Sequence, residues 1–125
     1  MKNTTEIGRY GENAVAQFLK KKKFKIVEQN FHSSHNEIDI IAENKQYIVF
    51  VEVKTRTLVQ NTKFEYESAA SAVTYSKQKR VIAAAQSYLN DHPTKKTPRL
   101  DVAEVYLSHN GEILDINYME DAFSN

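Results

Sequence analysis

Residues 38–56, IDIIAENKQYIVFVEVKTR, are two apolar runs joined by a short polar connection, and three charges, Asp39, Glu52 and Lys54, interrupt the apolar lettering. Val, Ile and Phe dominate both runs, as in strands buried on at least one face. A charge taken out of water there costs several kcal/mol unless it is paired or binds a metal. Side chains alternate along a strand, so Ile48, Phe50, Glu52 and Lys54 share one face of the second run. Glu37, Asp39 and Ile41 are expected to share one face of the first. A four-residue loop over Asn44 to Tyr47 pairs Glu43 with Ile48, and that register sets Asp39 across from Glu52.

Two opposed carboxylates at about 4 Å repel by roughly 4 kcal/mol at an effective dielectric near 20. A divalent cation removes that cost. Two carboxylates, backbone carbonyl oxygens and water suit Mg²⁺ or Mn²⁺, whereas zinc calls for His or Cys that the stretch lacks. Lys54 then lies where an ammonium group can orient a water or meet negative charge on a phosphate. A Glu-x-Lys tripeptide alone is common and reads equally as a half-exposed ion network. The Asp on the preceding strand, in register, favours the metal site, with the Val53 carbonyl as a further ligand.

The remaining chain frames this hairpin. With 125 residues, 41% hydrophobic and 26% charged, it has the size and composition of one soluble globular domain. There is no cysteine, and no stretch has the apolar length of a signal-peptide core or a membrane span, so a cytoplasmic location is expected. The net charge of +1 is unevenly distributed. Residues 1–53 carry eight Lys/Arg against seven Asp/Glu, residues 54–99 nine against three, and residues 100–125 none against six. A basic middle segment is what a polyanion-binding surface needs, although a solvated basic face has the same composition.

Thr4 or Thr5 is placed to cap a helix running to about Lys22, with Ile7, Gly11, Ala14, Val15, Phe18 and Leu19 on one stripe. FKIVEQNF, 24–31, predicts a strand, His32 to Asn36 a polar connection, and residues 57–73 carry no clear pattern. SKQKRVIAAAQSYL, 76–89, predicts a helix with Ile82, Ala85 and Leu89 inward and Lys77, Lys79 and Arg80 in its first turns, where cations oppose the helix dipole. HPTKKTP, 92–98, is a loop. LDVAEVYL and EILDINYM flank an Asn-Gly turn. The order is α-β-β-β-α-β-β, an α/β arrangement with a mixed sheet flanked by helices.

Gly11-Glu12 in the leading helix, Asn30-Phe31 after the first strand, NEIDIIAE, FVEVKTR, Lys77 and Arg80 opening the later helix, and RLDV at 99–102 together resemble the YraN-like family. These are bacterial proteins placed in the PD-(D/E)XK nuclease superfamily beside Holliday-junction resolvases, and the resemblance spans roughly residues 6 to 105. It implies a restriction-endonuclease-like core in which Asp39, Glu52 and Lys54 form the D…E-x-K site and Glu12 completes the metal environment. Helical spacing independently aligns Glu12 with Gly8, Val15, Ala16 and Leu19, at the edge of the buried stripe. The family usually has Gly where this chain has Asn36, and Asn tolerates unusual turn conformations.

Other residues carry smaller expectations. Glu37 is an outer ligand or a rim charge. Arg56 and Lys63 follow the active strand and, with Lys77, Lys79 and Arg80, are candidate phosphate contacts. Asp101 either supports the site or pairs with Arg99. The four histidines are expected at the surface, with no zinc site. The leading function is a Mg²⁺- or Mn²⁺-dependent nuclease with low sequence specificity acting on nucleic acid, DNA first, and with a homodimer as a compatible assembly. The alternative is a nucleic-acid-binding or assembly module without turnover.

Overall fold

The computed structural model describes residues 4–58 and 73–124. The element order is α1 (Thr4–Lys21), β1 (Lys25–Ser33), β2 (Asn36–Glu43), β3 (Tyr47–Thr57), α2 (Tyr75–Asp91), β4 (Thr97–Leu107) and β5 (Ile113–Met119), which is the expected α-β-β-β-α-β-β. The strands form one mixed sheet in chain order, β1-β2-β3-β4-β5. Only β3 and β4 run parallel among the described strands, because α2 carries the chain back between them. The two helices cover opposite faces.

The split of the core follows strand alternation. Val49 and Val51 pack with Val15, Ala16 and Leu19 of α1, while Ile48 and Phe50 pack with Val81, Ala84, Ala85 and Tyr88 of α2. The buried stripe of α2 is thus centred one residue from the expected one, with Ile82 and Leu89 at its margin. Tyr88 meets Phe31 and Phe50 edge to face at centroid distances of 5.3 and 5.9 Å, geometry that aromatic quadrupoles favour.

Helix α1 ends in a Schellman turn built on a lysine. Phe24 N–H donates to Leu19 O at 3.0 Å and Lys23 N–H to Lys20 O at 3.1 Å, with Lys23 left-handed at φ 73°. Lys accepts this conformation because Phe24 and Leu19 close the turn by packing into the same core cluster. At Gly11 the helix touches the sheet: a Cβ there would lie 1.9 Å from Thr55 Oγ1 and 3.0 Å from Thr55 Cβ. Thr55 Oγ1 is itself buried. Gly11→Ala is therefore expected to push α1 off β3 and cost about 1–3 kcal/mol as overpacking, read as a lower urea midpoint. A midpoint equal to wild type would refute the close contact.

Three local expectations are corrected. The β1–β2 connection is two residues, because Ser33 pairs with Asn36, and the left-handed residue is Ser34 (φ 55°) rather than Asn36. The β4–β5 hairpin is a three-residue loop, His109 to Gly111, closed by Gly111 N–H to Ser108 O and Ser108 N–H to Glu112 O. Gly111 at φ 87° supplies the left-handed bulge position of such a loop. Finally, Ile38 and Ile41, three residues apart, both belong to the α2-side core, so strict alternation along β2 fails between them. Asn30, at the register position facing Asp39 across β1 and β2, is also left-handed, at φ 56°.

Candidate active site

The break in β2 falls on Asp39. The β2–β3 ladder holds the expected register, Glu43↔Ile48 through Ile40↔Val51, and stops there. One rung further on, where Asp39 would oppose Glu52, the Asp39 side chain takes the place of a ladder carbonyl, and Val53 N–H donates to its Oδ2 at 2.8 Å. A carboxylate at the end of the ladder satisfies a backbone donor that pairing no longer serves. Val53 thus meets Asp39 through its N–H.

Glu52 stands beside this carboxylate on the α2 face. It is 8% exposed, and Asp39 is 9% exposed. Burial, then the hydrogen-bonding and repulsive contact with Asp39, pushes the Glu52 carboxyl up to about 9, with Lys77 opposing the rise. Glu52 Oε2 has no hydrogen-bond partner among the described residues, and Lys77 Nζ lies 3.5 Å from it. From the α1 side comes Glu12. Burial first, then Asp39, raises its carboxyl to about 7, and the Asn30 side chain opposes the rise by hydrogen bonding. Glu12 Oε1 is also buried without a hydrogen-bond partner among the described residues.

Asp39 thus acts electrostatically on two other carboxyls, Glu12 on the α1 side and Glu52 on the α2 side. On the α2 side a cleft of about 300 Å³ is lined by Glu52, Val53, Lys54, Val73, Thr74 and Lys77. On the α1 side Thr5, Gly8, Arg9, Glu12 and Asn30 line a cleft of about 280 Å³. The exposed Lys54 follows Glu52 on the same strand face, as alternation requires. Among the described residues no three His, Asp or Glu side chains close into a ready-made cation cage. The donor set is instead a buried all-oxygen pair with one unsatisfied oxygen, which fits a hard divalent cation that keeps several waters.

The other expected residues are distributed more widely. Glu37 is a rim charge, half exposed, 3.1 Å from His32 Nε2 and 3.9 Å from Lys77 Nζ. Lys77 points into the cleft, whereas Lys79 and Arg80 are exposed on the same turn of α2, Lys79 lying 4.6 Å over the Tyr75 ring. Arg56 Nε donates to Glu104 Oε2 at 2.9 Å. Lys63 lies outside the described residues. Asp101 does not support the carboxylate cluster: its oxygens bind Arg99, the Tyr118 hydroxyl and the Asp121 N–H. It pairs with Arg99, the second of its two expected roles.

Sequence reasoning missed Glu104 and Asn30. Glu104 is fully buried beside Lys54 in the β3–β4 register and holds Arg56 in place. Its signal was visible, since a charge interrupts LDVAEVYL much as Glu52 interrupts FVEVK. Asn30 was noted only as part of a motif. Its left-handed backbone is the device that turns β1 at the site, and Asn is among the few residues that adopt it readily.

Comparison with known proteins gives this geometry a family. The model of Uncharacterised protein family UPF0102 matches residues 11–105. The chain belongs to this family. A UPF0102 protein of Caldicellulosiruptor saccharolyticus is 40% identical over 122 residues, covering 97% of this chain and 99% of that protein. Its counterpart in Caldanaerobacter subterraneus is 41% identical over 123 residues, covering 97% of each. A UPF0102 protein of Clostridium perfringens is 40% identical over 126 residues, covering 98% of this chain and 97% of its own. The match takes in Glu12, Asp39, Glu52, Lys54 and Lys77, so the whole carboxylate cluster of this UPF0102 chain lies inside the family region. No helix among its described residues is long and apolar enough to cross a membrane.

The raised carboxyls make a stability prediction with a definite sign. Glu52 binds its proton more tightly folded than unfolded, so the stabilisation is complete below its ordinary value of 4.5 and is lost as pH rises towards about 9. Glu12 adds the same sign between 4.5 and about 7. Without divalent cations, the urea midpoint is expected to fall from pH 5 to pH 9. Glu52→Gln should flatten the upper part of that slope. Parallel wild-type and mutant profiles would remove the buried Glu52 carboxyl from the account.

Proposed function

We propose that this chain is a metal-dependent nuclease of the PD-(D/E)XK type, hydrolysing phosphodiester bonds of nucleic acid, DNA in the first instance. The observation that carries the reading is the buried Asp39–Glu52 pair, one of its oxygens unsatisfied, with Glu52 lining a cleft that also holds Lys54 and Lys77. Stability alone gives no reason to bury two adjacent carboxyls. A Mg²⁺ or Mn²⁺ ion held by Asp39 and Glu52, with Glu12 in its outer environment, would supply Lewis-acid activation of the attacking water and neutralise charge at the phosphate.

The protein's own groups do the rest. Val53 N–H fixes the Asp39 carboxylate, so one donor oxygen is oriented before any ligand arrives. Lys54 presents its ammonium group to the same cleft, where it orients the water and meets the negative charge that grows on the phosphate oxygens. Lys79 and Arg80, exposed just outside, attract the polyanion and set its salt dependence without reading sequence.

A non-catalytic binding module is the second reading, favoured by the lack of a third converging carboxylate among the described residues and by a lysine already seated in the cleft. Labelled single-stranded, duplex, flapped and four-way-junction DNAs, and RNA, incubated with Mg²⁺ or Mn²⁺, separate the two. The nuclease cleaves at least one substrate only when metal is present and only as wild type, not as Asp39→Asn. Metal-independent binding with no cleavage of any substrate assigns the module.

A further inference from the structure

Lys77 occupies a position that helix energetics disfavour. It lies in the first turn of α2, where the unsatisfied N–H groups repel a cation. Its backbone is fixed by the cap, since Lys77 N–H donates to Thr74 Oγ1 at 3.2 Å. Its ammonium group reaches back across the cleft, 3.5 Å from Glu52 Oε2 and 3.9 Å from Glu37 Oε1. Both distances exceed the roughly 2.7–2.9 Å of a charge-assisted hydrogen bond. The contact is thus a long, weak one, and the side chain remains 30% exposed.

We infer that Lys77 is an internal counter-cation of the carboxylate site, standing in for the charge of a divalent ion and displaced from Glu52 towards Lys54, within the cleft they share, when that ion binds. This rests on the metal-site reading above and assigns one residue two successive roles. In the metal-free protein Lys77 offsets the negative charge that the Asp39–Glu52 pair retains and lies near Glu37 at the rim. Once a divalent charge sits on Asp39 and Glu52, an ammonium group at 3.5 Å is repelled, and the flexible lysine stem lets it swing out without moving α2. There it joins Lys54 on the wall of the same cleft, as a second positioning cation for a phosphate. Metal binding and phosphate capture are thereby coupled through one side chain.

The consequence is opposite in sign to that of an ordinary site residue. Lys77→Gln removes a competitor, so Mn²⁺ measured by calorimetry or by electron paramagnetic resonance should bind about tenfold more tightly or better, a modest share of the repulsion between charges at this distance. The same variant should melt at a lower temperature than wild type when no metal is present. Lys77→Arg, which keeps the charge, should restore wild-type behaviour in both measurements. A readout on the native chain is amine labelling followed by mass spectrometry. Without metal, Lys77 should label more slowly than the exposed Lys79, and millimolar Mg²⁺ should speed it selectively. Unchanged or weaker Mn²⁺ binding by Lys77→Gln, or Lys77 labelling that Mg²⁺ leaves alone or slows, overturns the counter-cation role while leaving the metal site standing. Failure of the wild type to bind Mn²⁺ overturns both.

Discussion

Lys54→Ala is expected to lower phosphodiester cleavage by roughly 10²-fold or more, the usual cost of a lost transition-state contact, while sparing everything that precedes chemistry. The residue is exposed and contributes no carboxylate, and it follows Glu52 on the face that lines the cleft. Its removal therefore leaves the Asp39–Glu52 pair intact. Millimolar Mg²⁺ or Mn²⁺ should still raise the melting temperature of Lys54→Ala by mass action on the folded state, and nucleic-acid affinity should change little. Asp39→Asn is the informative contrast. It halves the charge of the pair and weakens the acceptor that Val53 N–H uses, so both the metal-induced stabilisation and cleavage should disappear. The comparison uses single-turnover rates alongside melting curves with and without metal. Cleavage that persists unchanged in both variants would come from a contaminant and would count against the enzyme.

Arg99→Met is expected to destabilise the fold by about 3–5 kcal/mol, because it strands a buried charge. Asp101 is fully buried, and Arg99 meets it through Nε at 3.0 Å and Nη2 at 3.0 Å. The guanidinium group lies over the Tyr47 and Phe24 rings, 4.6 and 5.8 Å from their centroids. Tyr118 donates its hydroxyl to Asp101 at 2.5 Å, and burial followed by the neighbouring Asp101 raises that hydroxyl's pKa, keeping it a donor. This ion network staples β4 to β5 and to the turn after it through Asp121 N–H. Urea denaturation gives the loss directly, and the double variant Arg99→Met/Asp101→Leu should recover only part of it, since it removes the stranded charge but leaves the Tyr118 hydroxyl and the Asp121 N–H without their acceptor. A single variant within about 0.5 kcal/mol of wild type would place the network among surface substitutions that matter little.

The hairpin at 38–56 determined much of the architecture before any tertiary contact was known. Period-two alternation in IVFVEVK fixed which residues of β3 face each helix, because the pleat leaves a side chain only two directions. Turn chemistry fixed the β2–β3 register: Asn44 Oδ1 accepts from the N–H groups of Gln46 and Tyr47, so Glu43 pairs with Ile48. The charges interrupting apolar runs pointed to Asp39 and Glu52, since burying them without a partner is costly. Helical spacing aimed Glu12 towards the sheet.

Tertiary structure decided what those charges meet. The regular alternation expected for Glu37, Asp39 and Ile41 gave way to a break opposite the left-handed Asn30, and a kink set by one residue on a neighbouring strand leaves no periodic trace. Lys77, expected on a phosphate-binding face, turned into the cleft because α2 crosses the sheet beside Glu52 and Glu37. Arg56 was taken by Glu104, nearly fifty residues later in the chain, through a parallel pairing that only the crossover creates. Local pattern fixes the direction of a side chain relative to its own strand or helix. Which charge it finds there depends on where distant elements pack, and that is a property of the whole sheet.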